Sequence, residues 1–267
     1  MKLNIRGIEY FFEKHQDNDE LPTLVLLHGF MGSGALFKAL IQHINPFCNP
    51  VTIDLLGHGQ TEGAELHYRF STKEQVADLV KLIQEQLPTP TFLYGYSMGA
   101  RLALQVALHR PDLFSGLILE SGTFGIEVDA ERQARQALDA SRADQIMGNF
   151  SDFLKQWQNL EMFAGSTSPE QTSIQEAQNP YWIANSLLAF GTGTMPCVRD
   201  RLSALSPPTL LIAGVKDAKF VRINQTMYKE IDDAELHIIP KAGHRVHIES
   251  PEEIALKLEP FIKNHQL

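Results

Sequence analysis

The chain has 267 residues, 43% of them apolar and 21% charged, with a formal net charge of −9. That balance suits one large soluble core; the negative charge offers no global attraction for nucleic acid or an anionic membrane. Its two cysteines, Cys48 and Cys197, are too few for a disulfide framework or a thiolate zinc site.

In chain order, the opening "MKLNIRGIEYFFEKHQDND" carries charge throughout and no apolar signal-type run. With so few cysteines this points to a reducing, cytoplasmic setting. No uncharged apolar run reaches the ~18 residues of a membrane span. "TLVLLHG" (23–29), "VTID" (51–54), "TFLYGYS" (91–97) and "GLILESG" (116–122) read as strands that are apolar continuously rather than alternately. Strands of that kind belong to a parallel sheet covered on both faces. Between them, "TKEQVADLVKLIQEQL" and "GARLALQVALHR" space their apolar residues as helices do, and Pro111 closes the second. The alternation predicts a mostly parallel, doubly wound α/β sheet.

The rhythm stops from about Thr123 to Leu205, where the text is polar and helix-like, as in "DAERQARQALDASRADQIM" and "FSDFLKQWQNLEMF". It resumes with the strands "PTLLIAGVKD" and "ELHIIPKAGH" and the helix "SPEEIALKLEPFIKN". The expected organisation is a core of residues 1–122 and 206–267 with a helical lid, residues 123–205, inserted in it.

At the junction of the third strand run with its helix stands Gly95-Tyr96-Ser97-Met98-Gly99. A serine in a tight strand-to-helix turn, with glycines two residues either side, holds its Oγ clear of the backbone as a nucleophile or proton acceptor. Such a hydroxyl needs a base and a group that orients the base, and in this topology they follow in the order acid, then histidine, each after a strand. Asp217 and His244 occupy those places. Asp54 and His247 are weaker alternatives, and His28 and His58 read as loop histidines. The backbone N–H groups of Phe30, after the first of these strands, and of Met98 are the expected oxyanion donors.

"LLHGF", "IDLLGHG", "GYSMG", the Asp217 loop and "AGH" together resemble the α/β-hydrolase superfamily over nearly the whole chain. "GYSMGARLAL", "LILESGTFGI", "ERQARQALDASRA", "GTGTMP", "DAKF" and "AGHRVHIE" resemble one branch of it, the menaquinone-pathway SHCHC synthases (2-succinyl-6-hydroxy-2,4-cyclohexadiene-1-carboxylate synthases). That resemblance implies a lyase whose Ser-His-Asp triad removes a proton from a cyclohexene intermediate and expels pyruvate. It implies a small-molecule substrate bearing several carboxylates, and neither a metal nor an organic cofactor. Arg101, four residues beyond Ser97 and so one helical turn along, suits a carboxylate at the pocket floor. Tyr96 is a further substrate-binding candidate, and Arg135 and Trp157 match a lid arginine and a lid tryptophan of the family. Another lid arginine usual in the family has no counterpart in "TSIQEAQNPYWIAN". A carboxylesterase acting through an acyl-enzyme on Ser97 shares the same machinery. A non-catalytic ligand receptor on this fold would have no need of a complete triad.

Overall fold

The computed structural model describes residues 1–163 and 166–266. Eight strands form one sheet: β1 (Lys2–Ile5), β2 (Ile8–Lys14), β3 (Thr23–Leu27), β4 (Asn49–Ile53), β5 (Thr91–Tyr96), β6 (Phe114–Glu120), β7 (Thr209–Gly214) and β8 (Ala234–Ile239). Their order is β1-β2-β4-β3-β5-β6-β7-β8. From β4 to β8 every pairing is parallel, while β1–β2 and β2–β4 are antiparallel. The N-terminal hairpin, read from sequence only as charged text, is the addition to the expected sheet. Its apolar residues Ile8, Tyr10 and Phe12 alternate with more exposed ones, so only one face signals burial. Buried Asp78 helps dock the hairpin, accepting from Arg6 (2.8 Å), Arg69 (2.9 Å) and the Tyr10 hydroxyl (3.1 Å).

β3, β5 and β7 are buried along their whole length because helices cover both faces. On one face Val25, Leu27, Leu93 and Leu117 pack with apolar residues of α2 (Thr72–Gln86) and α3 (Met98–His109). On the other, Leu24, Leu26, Phe92 and Ile118 pack with α1 (Lys38–Ile44) and α10 (Pro251–His265). Strand β8, at the sheet's edge, is only partly buried.

Between β6 and β7 run α4 (Asp129–Gly148), α5 (Phe150–Gln158), α6 (Pro169–Glu176) and α7 (Pro180–Phe190). Within the expected 123–205 insertion, positions 164 and 165 lie outside the described residues. Ala143, Ile146, Phe153, Leu154, Ile183 and Leu187 make a small separate core that includes Met31, with Phe30 and Trp157 packed against it. The insertion is thus pinned to the loop that follows β3. The remaining helices, α8 (Ala218–Glu230) and α9 (Val246–Glu249), carry the chain from β7 to α10. β3 pairs with β4 on one side and β5 on the other, which opens a crevice at the strands' carboxyl ends, the place where α/β sheets bind ligands.

Candidate active site

Ser97 sits where β5 becomes α3, with φ 51° and ψ −103°, a conformation that a non-glycine residue adopts only under strain. The flanking glycines are explained by close approach. A Cβ on Gly95 would clash with the Gly99 carbonyl oxygen, and one on Gly99 with that of Leu27. Helix and strand therefore close on each other only because both positions lack a side chain.

His244 Nε2 lies 3.0 Å from Ser97 Oγ, and its Nδ1 lies 2.6 Å from Asp217 Oδ2. With Nδ1–H donating to the carboxylate, Nε2 faces the serine as an acceptor, the tautomer a base requires. Asp217 is held as the N-cap of α8, its Oδ1 accepting from the Phe220 N–H at 3.3 Å. Asp217 and His244 are 8% and 1% exposed, so their pairing is shielded from competing water. Phe220, Phe163 and Tyr96 pack around the imidazole.

The weaker alternatives are all engaged elsewhere. Asp54 accepts from the Gly34 and Gln60 N–H groups at 2.7 and 2.8 Å. His247 Nδ1 lies 2.9 Å from buried Glu120, which also takes the Tyr94 hydroxyl. His28 donates from Nδ1 to the Gly29 carbonyl (2.7 Å) and accepts the Leu55 N–H on Nε2 (3.0 Å). Burial pulls its pKa down to about 4 and that of His58 to about 3, so both rings stay neutral and shape the loops.

Ser97 opens into a cavity of about 640 Å³. Each of the sequence-predicted residues Phe30, Met98, Arg101, Tyr96, Arg135, Trp157 and His244 lines it. Among the described residues no backbone group accepts from the Phe30 or Met98 N–H; the first amides of a helix have no intrahelical acceptor. Arg101 Nη1 donates to the Phe190 carbonyl at 2.8 Å, and the guanidinium stands 4.9 Å over the Phe190 ring. No described carboxylate lies within ion-pair distance of it, whereas Arg135 is tied to Asp139 at 2.8 Å. Burial, with Arg135 nearby, pulls the Arg101 pKa down to about 9. The group remains charged at neutral pH against an unfavourable setting that an anion would relieve.

Three cavity cations escaped the sequence reading: Arg142, Lys219 and Arg245. Arg142 lies 5.4 Å over the Trp157 ring and 3.8 Å from Asp139, which Arg135 already holds more closely. The absent arginine of "TSIQEAQNPYWIAN" therefore leaves no shortage of positive charge here, since α4 supplies two guanidiniums. Their separation of seven residues, two turns on one helix face, was the legible signal. Nothing in the sequence separates Arg245 from a surface arginine.

The alpha/beta hydrolase family model matches residues 24–257. A Bacillus subtilis (strain 168) protein, provisionally named a 2-succinyl-6-hydroxy-2,4-cyclohexadiene-1-carboxylate synthase, is 36% identical over 92% of this chain and 91% of its own. The solved structure of MenH from S. aureus superposes with a TM-score of 0.87 at 29% identity, covering 97% of this chain and 99% of that one. A thermophilic esterase from Thermogutta terrifontis reaches a TM-score of 0.83 over 100% of both chains, at 23% identity; at that identity the likeness is one of fold.

Proposed function

This chain belongs to the alpha/beta hydrolase family, in its SHCHC-synthase branch, and from that premise we propose that it is a carbon–oxygen lyase forming SHCHC with release of pyruvate. The observation that carries the reading is Arg101, a cavity guanidinium with no described carboxylate partner, one helical turn from the serine of a formed triad. Hydrolysis of a neutral ester gives no reason for such a group. A substrate carrying several carboxylates does, because guanidinium binds carboxylate through two parallel hydrogen bonds.

In this mechanism Ser97 Oγ takes the ring proton as His244 Nε2 accepts the hydroxyl proton, and Asp217 stabilises the imidazolium. The electrons of the broken C–H bond form the new ring double bond as the ring C–O bond breaks. The leaving group departs as the enolate of pyruvate and is protonated from His244. The Phe30 and Met98 amides face the oxyanion charge that develops. Arg101, Arg135 and Tyr96 bind the substrate, and residues 123–205 form the lid over it, with Trp157 on its inner face.

The test is pyruvate release from the enolpyruvyl-bearing cyclohexene intermediate, set beside hydrolysis of short p-nitrophenyl esters. Pyruvate release with slow ester hydrolysis is the expected result. Fast ester hydrolysis without pyruvate makes the protein a carboxylesterase.

A further inference from the structure

Arg245 follows His244 directly and is 5% exposed. Its Nη1 donates to Gln171 Oε1 at 2.9 Å, and at 3.3 Å to both Thr167 Oγ1 and the Ser166 carbonyl. The guanidinium carbon stands 4.0 Å over the Phe163 ring, which fixes its plane. No described carboxylate lies within ion-pair distance of the guanidinium, whose one further neighbour of hydrogen-bonding type is the Tyr96 hydroxyl. Glu249 instead takes the backbone N–H groups of Gly243 (2.8 Å) and Arg245 (3.3 Å). A buried cation without a counter-ion is unfavourable until something supplies the negative charge.

Gln171 carries the second, independent sign. Its Oε1 is used twice, by Arg245 and by the Ser168 N–H at 3.0 Å. Its Nε2 is buried with no partner among the described residues, although the residue lines the cavity and is 3% exposed. An orphaned buried donor beside an unpaired guanidinium defines a place that lacks an acceptor. The Tyr96 hydroxyl is close by. Burial raises its pKa while the Arg245 charge draws it back, so it remains a neutral donor.

We propose that Arg245 and Gln171 form a second carboxylate-binding subsite in the cavity, beside His244 and separate from Arg101. Arg245 Nε–H and Nη2–H are the parallel pair that a carboxylate accepts from in bidentate fashion, and Gln171 Nε2 supplies a third donor. Arg245 belongs to the loop after β8 and Gln171 to α6, so an occupied subsite ties the insertion to the core. The identity of its natural ligand rests on the lyase reading; its selectivity for a second carboxylate does not.

Two probes read the subsite by calorimetric titration without turnover. 2-Succinylbenzoate carries a ring carboxylate and a succinyl chain, the groups in the relatives' product name, and 2-butanoylbenzoate replaces the chain carboxylate with a methyl group. The protein should bind the first about thirty-fold or more tighter than the second, the scale of a charged hydrogen-bonded pair. Arg245→Gln should shrink that ratio to about three-fold or less, and Arg245→Lys should restore part of it. Arg101→Gln should weaken both probes alike. Gln171→Glu keeps the acceptor for Arg245 and Ser168 but gives Arg245 a counter-ion, so it should abolish the preference even if Arg245→Gln does not fold. A ratio unchanged in either Arg245→Gln or Gln171→Glu overturns the subsite, whatever the turnover. An Arg245-dependent ratio in a protein that releases no pyruvate would remove the lyase reading and leave the subsite standing.

Discussion

Strands β3, β5 and β7 bury every residue, whereas α4 buries only Asp139, Ala143 and Ile146 of its twenty. The two regions also hold their cavity groups differently. On the sheet side, Ser97 and Asp217 are set by a strained turn and a helix cap, and the Ser97–His244–Asp217 chain closes at 3.0 and 2.6 Å. On the insertion side, Arg135 and Arg142 share the single carboxylate of Asp139 at 2.8 and 3.8 Å, and Trp157 rests on Phe30, Phe153 and Phe163. Chemistry requires atoms held to a few tenths of an ångström, and packed strand ends supply that. In the proposed function, selecting a charged substrate requires field and contact area, which a helical layer with its own small core would supply at lower precision.

That contrast breaks most sharply at the triad. Ser97→Ala, Asp217→Asn and His244→Ala should each lower turnover of the intermediate by roughly 10²–10⁴-fold, the range of a positioned acid–base group. Combined they should lose little more than the worst single variant, because they act as one unit. Near-normal pyruvate release by Ser97→Ala would falsify the assignment of the elbow.

Arg101, on the sheet-side helix, comes next. Losing a buried charge-assisted pair costs ~2–5 kcal/mol, so Arg101→Ala should reduce kcat/KM for the polycarboxylate roughly thirty- to several-thousand-fold. An uncharged p-nitrophenyl ester presents nothing for the guanidinium to grip and should suffer far less. Equal losses on both substrates would make Arg101 a structural helix residue.

The buried loop histidines sharpen the comparison through stability. His28 and His58 titrate at about 4 and about 3 in the fold, against 6.5 for an ordinary histidine. As pH falls below about 6.5 the unfolded chain takes up protons that the fold excludes, so stability is full above that pH and falls toward the folded values. By pH 5 the loss should be ~2 kcal/mol for each ring, read as a fall in the urea midpoint between pH 7 and 5. His58→Gln should flatten that fall by ~2 kcal/mol; an unchanged slope would place a proton on His58 in the fold.

Arg142, half-buried on the insertion, should matter least. Arg142→Ala is expected to raise KM for the intermediate by no more than about five-fold, the scale of a partly exposed charge, with kcat unchanged. A loss as large as that of Arg101→Ala would put the insertion on the same footing as the sheet.

Much of this site was legible because its signals are local. The glycines at 95 and 99 announce the turn at Ser97, and the strand runs before Asp217 and His244 announce where those side chains emerge. Spacing alone put Arg101 beside Ser97. The N-terminal hairpin escaped because its charged residues alternate with apolar ones over only a few positions, and its burial depends on pairing with β4, far along the chain. Arg142 could be found only through its seven-residue spacing from Arg135, and Arg245 escaped because an arginine in water and an arginine in a cavity have the same local sequence.

By itself the sequence determined the order of the parallel strands and their helices, the strained serine turn and the chain order of Ser97, Asp217 and His244, since each follows from backbone sterics and apolar periodicity within a few residues. The tertiary structure alone decided which polar groups lack a partner. Arg245 and Gln171 acquire a reading only when β8's loop and α6 meet, some seventy residues apart in the chain, because hydrogen-bond satisfaction is a property of everything that surrounds an atom in space.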